Sequence, residues 1–195
     1  MDWLTREPPS EVDVCGEAVP IRTGWRRAVR SYVLMGTRSR IPIGDCDKLL
    51  SSWFSRDGVV PRTVLGHQRE ALDAALSWRD DALVEAMPYG DGMSRRATVR
   101  VFDWEADSGI VVADFLRLYG IDLTDRATQM HWWRFALLWR GAAASESLVA
   151  SAISARSPLD GDVDKWSRRA HERLAGAWAL PPTQAELVQR AREAW

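Results

Sequence analysis

Asp160, Asp162 and Asp164 occupy alternate positions, which is how a calcium-binding loop begins, because successive carboxylates must reach one cation from a tight turn. The rest of that loop is missing. Lys165 stands where the turn needs glycine, and His171 stands where a bidentate glutamate is needed. The aspartates therefore read as the first turn of a helix, where carboxylates accept from free backbone N–H groups. The three histidines, at 67, 131 and 171, fall in no HExxH or Cys-His spacing that would set zinc ligands on one element. Asp103, Glu105 and Asp107 have the types of an acid/base cluster, but their simpler chemistry is to favour a helix N-terminus through its dipole. Gly90 and Gly92 do not extend into a phosphate-cradling loop, and no nucleophile elbow or local cysteine signature surrounds any serine or cysteine. Arg26, Arg27 and Arg30, with Arg38 and Arg40, form the best basic patch; without interleaved glycines and aromatics it reads as a solvated face. The expectation is a protein with no catalytic, metal or cofactor site, whose chemistry is binding or assembly.

Composition agrees with that reading. Lys and Arg number 26 against 27 Asp and Glu in 195 residues, so no net field draws the chain to a polyanion, and nucleic acid is not an expected partner. The start lacks the basic, then apolar, pattern of a signal peptide, and no stretch approaches the ~18 apolar residues of a membrane span. Cys15 and Cys46 are too few for a disulfide framework, so both are expected reduced in a soluble protein of a cytoplasm. The anomaly is eleven tryptophans, from Trp3 to Trp195. Most should pack the core, and some should serve an interface, since buried indoles want an N–H partner and exposed ones make hot spots.

The elements that must position these residues are mainly α: a compact multi-helix domain over residues 1–180 with a small N-terminal β-hairpin at about 11–23, a motif region at about 101–156, and a C-terminal helix over 181–195. The hairpin rests on alternation about Cys15-Gly16, with Val12 and Val14 on one face. Thr23 can cap a helix carrying Trp25, Val29, Tyr32 and Val33, and Asp45 one carrying Leu49, Leu50 and Trp53. A run from Gly66 to Met87 places Leu72, Leu76 and Leu83 on one side, and residues 88–100 read as a connector. Asp103 can cap the next helix, which stops at Gly120. Further helices are expected over about 126–140, 145–156 and 162–178, and Thr183 with Glu186 fits a capping box after Pro181-Pro182.

Around the helix near residue 132, Trp132, Phe135, Ala136 and Trp139 share one stripe, while Met130, Trp133 and Leu137 share an adjoining one. So wide an apolar arc belongs to a buried helix, or to one with a core stripe and a partner stripe. Trp133 is expected in the same core as Phe115. Trp132 and Trp139 are then the candidates for partner binding, unless the C-terminal helices cover them through Trp166 or Leu174.

The ordered string Phe102-Asp103-Trp104, a helix ending Phe115-Leu116, the corner Tyr119-Gly120-Ile121-Asp122-Leu123, and His131-Trp132-Trp133-Arg134-Phe135 resembles the gene-product-fifteen family of bacteriophages. The hairpin and first helix, VDVCGEAVPIRTGWR, and Ile153 with Arg156 look similar as well. Val112, where relatives often carry an aromatic, and a plain Gly141-Ala-Ala-Ala linker depart from the pattern. The family belongs to the tail region of long, non-contractile tailed phages, beside the tape measure gene. The resemblance implies a tail assembly chaperone in the host cytoplasm that binds the tape measure protein, with a tail-tube protein, a second chaperone or another copy of itself as further partners. Its rival is a minor structural tail protein kept in the virion, and more remotely a small enzyme with an unrecognised site.

Overall fold

The computed structural model describes residues 4–35, 43–86, 99–159 and 161–193. Most of the expected connector over 88–100, together with Arg38, Arg40 and Asp160, lies outside them. The chain is mainly α, opening on a two-stranded antiparallel hairpin of β1 (Glu11–Val14) and β2 (Glu17–Pro20). Cys15 and Gly16 both have positive φ, at 53° and 86°, which is what a two-residue turn matched to the right-handed twist of the strands requires. Asp13 Oδ1 accepts from the Gly16 N–H at 3.1 Å and closes that turn. The register pairs Val12 with Val19 and leaves Val12, Val14 and Val19 buried, so the alternation in the sequence is the inner face of the hairpin.

Helices follow in the order α1 (Trp25–Met35), α2 (Ile43–Phe54), α3 (Arg62–Gly66), α4 (Gln68–Glu85), α5 (Ser108–Tyr119), α6 (Trp132–Ala143), α7 (Leu148–Arg156), α8 (Lys165–Ala177) and α9 (Gln184–Glu193). Several boundaries differ from expectation for identifiable reasons. α2 starts before Asp45, whose carboxylate instead meets Lys48 at 3.1 Å. The run from Gly66 breaks at His67, whose backbone (φ −134°, ψ 53°) separates α3 from α4. On α4 the fully buried positions are Ala71, Ala75 and Ala82, small residues that let the bulky α6 approach, with Leu72 nearly buried beside them. α6 begins at Trp132 and not near 126, because Asp122 and Asp125 accept from the N–H groups of Thr124 and Ala127 and hold residues 121–130 as a loop. Gly141 and the two alanines after it belong to α6 and are not a linker.

α6 is the axis of the molecule. α1, α4, α5 and α7 all pack on it, while β1 and α2 pack on α4. The core runs from Val12 to Val149, and α8, which leans on α7, has no buried residue. The capping box is present in the form expected: Thr183 N–H donates to Glu186 Oε2 at 2.6 Å, and Glu186 N–H donates to Thr183 Oγ1 at 3.2 Å. Asp164 caps α8 by accepting from Trp166 and Ser167, the role assigned to that aspartate group.

Candidate functional site

The motif residues converge on a single aromatic stack. Phe115 lies 4.7 Å from Phe135 with the rings 19° apart, and Phe135 in turn stacks on Trp132 at 5.5 Å and on Trp25 at 4.9 Å. Phe102 and Trp104, from the strap before α5, set their edges against Trp139 and Trp132, and Tyr32 of α1 closes the remaining side. Trp133 turns to the other flank, toward Trp78 of α4, yet stays in the same core as Phe115. The Trp132 stripe and Trp133 are therefore internal, while Leu137 on the adjoining stripe is exposed.

This overturns the assignment of Trp132 and Trp139 to a partner surface. They are 0% and 5% exposed, and the Trp132 indole N–H donates to the Arg79 carbonyl at 2.8 Å. The cover is not the C-terminal helices, because Trp166 is 77% and Leu174 48% exposed. Phe102, Trp104 and Tyr32 supply it, from segments too distant in sequence for helical periodicity to report.

The polar motif residues fix geometry. Asp103 does cap, but it caps the turn before α5, accepting from Glu105 and Ala106 while its own N–H donates to Asp107 Oδ2. Asp107 receives both arms of Arg156 at 2.7 and 2.8 Å; the pair is nearly buried, and Arg156 also donates to the Val101 and Trp178 carbonyls. The imagined acid/base cluster is thus a clamp tying the start of α5 to the end of α7. Asp114, fully buried, accepts from the Leu148 and Val149 N–H groups and caps α7 from a neighbouring helix, a role no local pattern reveals. Gly120 adopts the left-handed conformation (φ 64°) that ends α5, its N–H and that of Ile121 returning to the Leu116 and Phe115 carbonyls. The Tyr119 hydroxyl donates to the Leu138 carbonyl, and a Cβ at Gly141 would stand 2.7 Å from that hydroxyl, so α5 and α6 approach closely only because residue 141 is glycine. Hydrogen bonds from Thr124 hold the Asp122 carboxyl below its ordinary range, and Leu123 is buried beneath that loop.

His131 caps α6: its Nδ1 accepts from the Trp133 N–H at 3.2 Å, and its backbone bridges to Gly24. Burial lowers its pKa, with the Pro9 carbonyl pulling weakly the other way, and its ring meets Trp78 edge-on at 5.9 Å. His131 thus positions the start of α6. A network not anticipated from sequence lies on the far side: the Arg79 guanidinium sits 3.7 Å over the Tyr32 ring and donates to Ser31 and Asp80, and burial raises the Tyr32 pKa.

Cys15, His67 and Glu70 bring three potential ligand atoms within 4.8 Å of one another across the hairpin turn and α4. All three are exposed, and no hydrogen bond among the described residues orients the imidazole, so the support that a metal-binding histidine normally has is lacking. Cys15 and Cys46 are both free. No helix among the described residues is long and apolar enough to cross a membrane.

Residues 63–174, more than half of the chain, match the family model described as bacteriophage Gp15 protein. The chain belongs to this family. The matched stretch spans the aromatic stack from α4 to α7, the Asp107–Arg156 clamp and most of α8, and it leaves out the hairpin, α1 and α2. No curated protein and no solved structure matches the chain.

Within the Gp15 match, two regions differ in kind. The aromatic residues of α5 and α6 face inward and hold the fold. Trp166 and Leu174 of α8, one stripe at i and i+8 with Ala170 between them, face outward, at 77% and 48% exposure.

Proposed function

We propose that this Gp15-family protein is a tail assembly chaperone that holds amphipathic segments of the tape measure protein before the tail tube forms around them. The observation that carries this reading is the open face of α8: a two-sided helix with no buried residue, whose Trp166–Ala170–Leu174 stripe is flanked by Arg169 and Arg173. Leu187 and Val188 of α9 add exposed apolar surface. An apolar helix stripe left uncovered by its own fold is the ordinary means of recognising a partner helix, with aromatic and arginine anchors as its hot spots. A long helical partner needs such cover, because its own stripes aggregate when exposed.

Co-expression with the tape measure protein tests the reading. Truncating Trp166 and Leu174 together to alanine should leave a folded protein and abolish the complex, each anchor contributing about 2 kcal/mol of affinity. Full retention of the complex eliminates this face. Mass spectrometry of purified virions supplies the second criterion: a chaperone is absent or scarce, whereas stoichiometric presence identifies a structural tail protein.

A further inference from the structure

Six arginines from four separate segments converge on a linked pair of clefts where the exit of the hairpin, the start of α1, the end of α2 and the 121–130 loop meet. The larger cleft, of about 590 Å³, is lined by Arg22, Arg26, Arg27, Arg30 and Arg126 together with Ser51, Ser52 and Ser55. The smaller, of about 480 Å³, shares Arg22 and Arg27 as its rim and adds Arg56. Among the described residues no aspartate or glutamate lines either one, and none of the six arginines makes an ion pair.

The six are not equivalent. Arg26 is committed to structure, donating to the carbonyls of Leu123, Asp125 and Thr128 and so pinning the loop that carries Arg126 into place. Arg22 donates to the Ser55 carbonyl and ties the hairpin exit to the end of α2. Among the described residues Arg27, Arg30 and Arg126 have no such partner, and Arg27 folds back until its Nη1 lies 2.9 Å from where a Cβ at Gly24 would stand. Burial, and then the charges of Arg22 and Arg30, lower the Arg27 pKa. The like charges of Arg27, Arg30 and Arg126 repel one another, and an anion seated among them would relieve that repulsion.

We propose that this cleft binds an acidic peptide segment of a protein partner, its side-chain carboxylates seated between Arg27, Arg30 and Arg126. Guanidinium forks match carboxylates in paired hydrogen bonds, and the serine hydroxyls of α2 offer further donors. A nucleic acid is the poorer fit. The one aromatic residue in the cleft, Trp25, already has its ring stacked on Phe135 and covered by Arg26 at 4.5 Å, which leaves no platform for a base. Apart from the loop that carries Arg126, the site lies outside the stretch matched to the Gp15 family, and it shares no residue with α8, so it stands or falls independently of the proposed chaperone role.

Fluorescence anisotropy with a labelled deca-glutamate peptide at low ionic strength tests it, beside a labelled decathymidylate of equal length. The peptide should bind the wild-type chain more tightly than the oligonucleotide. The double variant Arg27→Glu/Arg30→Glu should weaken peptide binding by about tenfold or more, and Arg126→Glu alone by several-fold. Arg169→Glu on α8 should leave it unchanged. Circular dichroism and a melting curve confirm folding, and Arg126→Glu, on an exposed loop, decides the matter where the double variant does not fold. Three results overturn the proposal: no peptide binding; an equal loss with Arg169→Glu, which marks non-specific charge attraction; or tighter binding of decathymidylate, which reassigns the cleft to nucleic acid.

Discussion

Trp132 and Trp166 are the same side chain in opposite circumstances. Trp132 is fully enclosed, its indole N–H bonded to the Arg79 carbonyl and its ring stacked on Phe135, while Trp166 is 77% exposed with only Arg169 near its face. Both sit on amphipathic helices. The difference is in the neighbours: α6 has α1, α4, α5 and α7 around it, whereas α8 rests chiefly on α7. Aromatic content thus has two uses in one chain, to build an interior where four elements converge and to offer a surface where one helix projects.

The sharpest way to break the comparison is Trp132→Ala. Loss of a fully buried indole and of its hydrogen bond should cost about 3–5 kcal/mol, read as a large drop in the urea midpoint; an unchanged midpoint would mean the stack is not the core. Arg156→Met should cost about 3 kcal/mol by leaving Asp107 buried without its partner, and Arg156→Met with Asp107→Leu should recover much of that loss.

His131 gives a pH-dependent version of the same contrast. Its folded pKa lies below its ordinary value, so the unfolded chain takes up the proton first, and this group's contribution is complete above about pH 6.5 and is lost as pH falls below it. His131→Asn keeps a capping acceptor, so its denaturation midpoint should fall less between neutral and mildly acidic pH than that of the wild type. An equal fall in both would assign the acid sensitivity elsewhere. The smallest expected effect sharpens the other pole: Trp166→Ala should change stability by no more than about 0.5 kcal/mol, and a larger loss would show that α8 is packed in solution.

Local patterns in the sequence were good guides wherever the cause was local. The positive-φ turn at Cys15-Gly16, the capping box at Thr183 and Glu186, and the helix stop at Gly120 each depend on residues within a few positions, and each is where the pattern put it. Periodicity put the start of α6 too early because the run from 124 to 129 holds no proline or glycine to stop a helix; the signal that fits the observed start is the pair of aspartates at 122 and 125, whose side chains bend the chain locally. Asp103 was rightly a cap but of the turn ahead of α5, since Asp107 occupies the helix entrance and is held there by Arg156.

By itself, then, the sequence determined the helical class, the hairpin, most caps and the family to which the chain belongs, because these depend on the order and spacing of neighbouring residues. Only the tertiary structure decided which tryptophans are interior, that Asp114 caps a helix begun 34 residues later, and that arginines from positions 22 to 126 share one cleft. Burial and charge clustering depend on which elements meet. That is set by packing across the whole chain, and no window of sequence contains it.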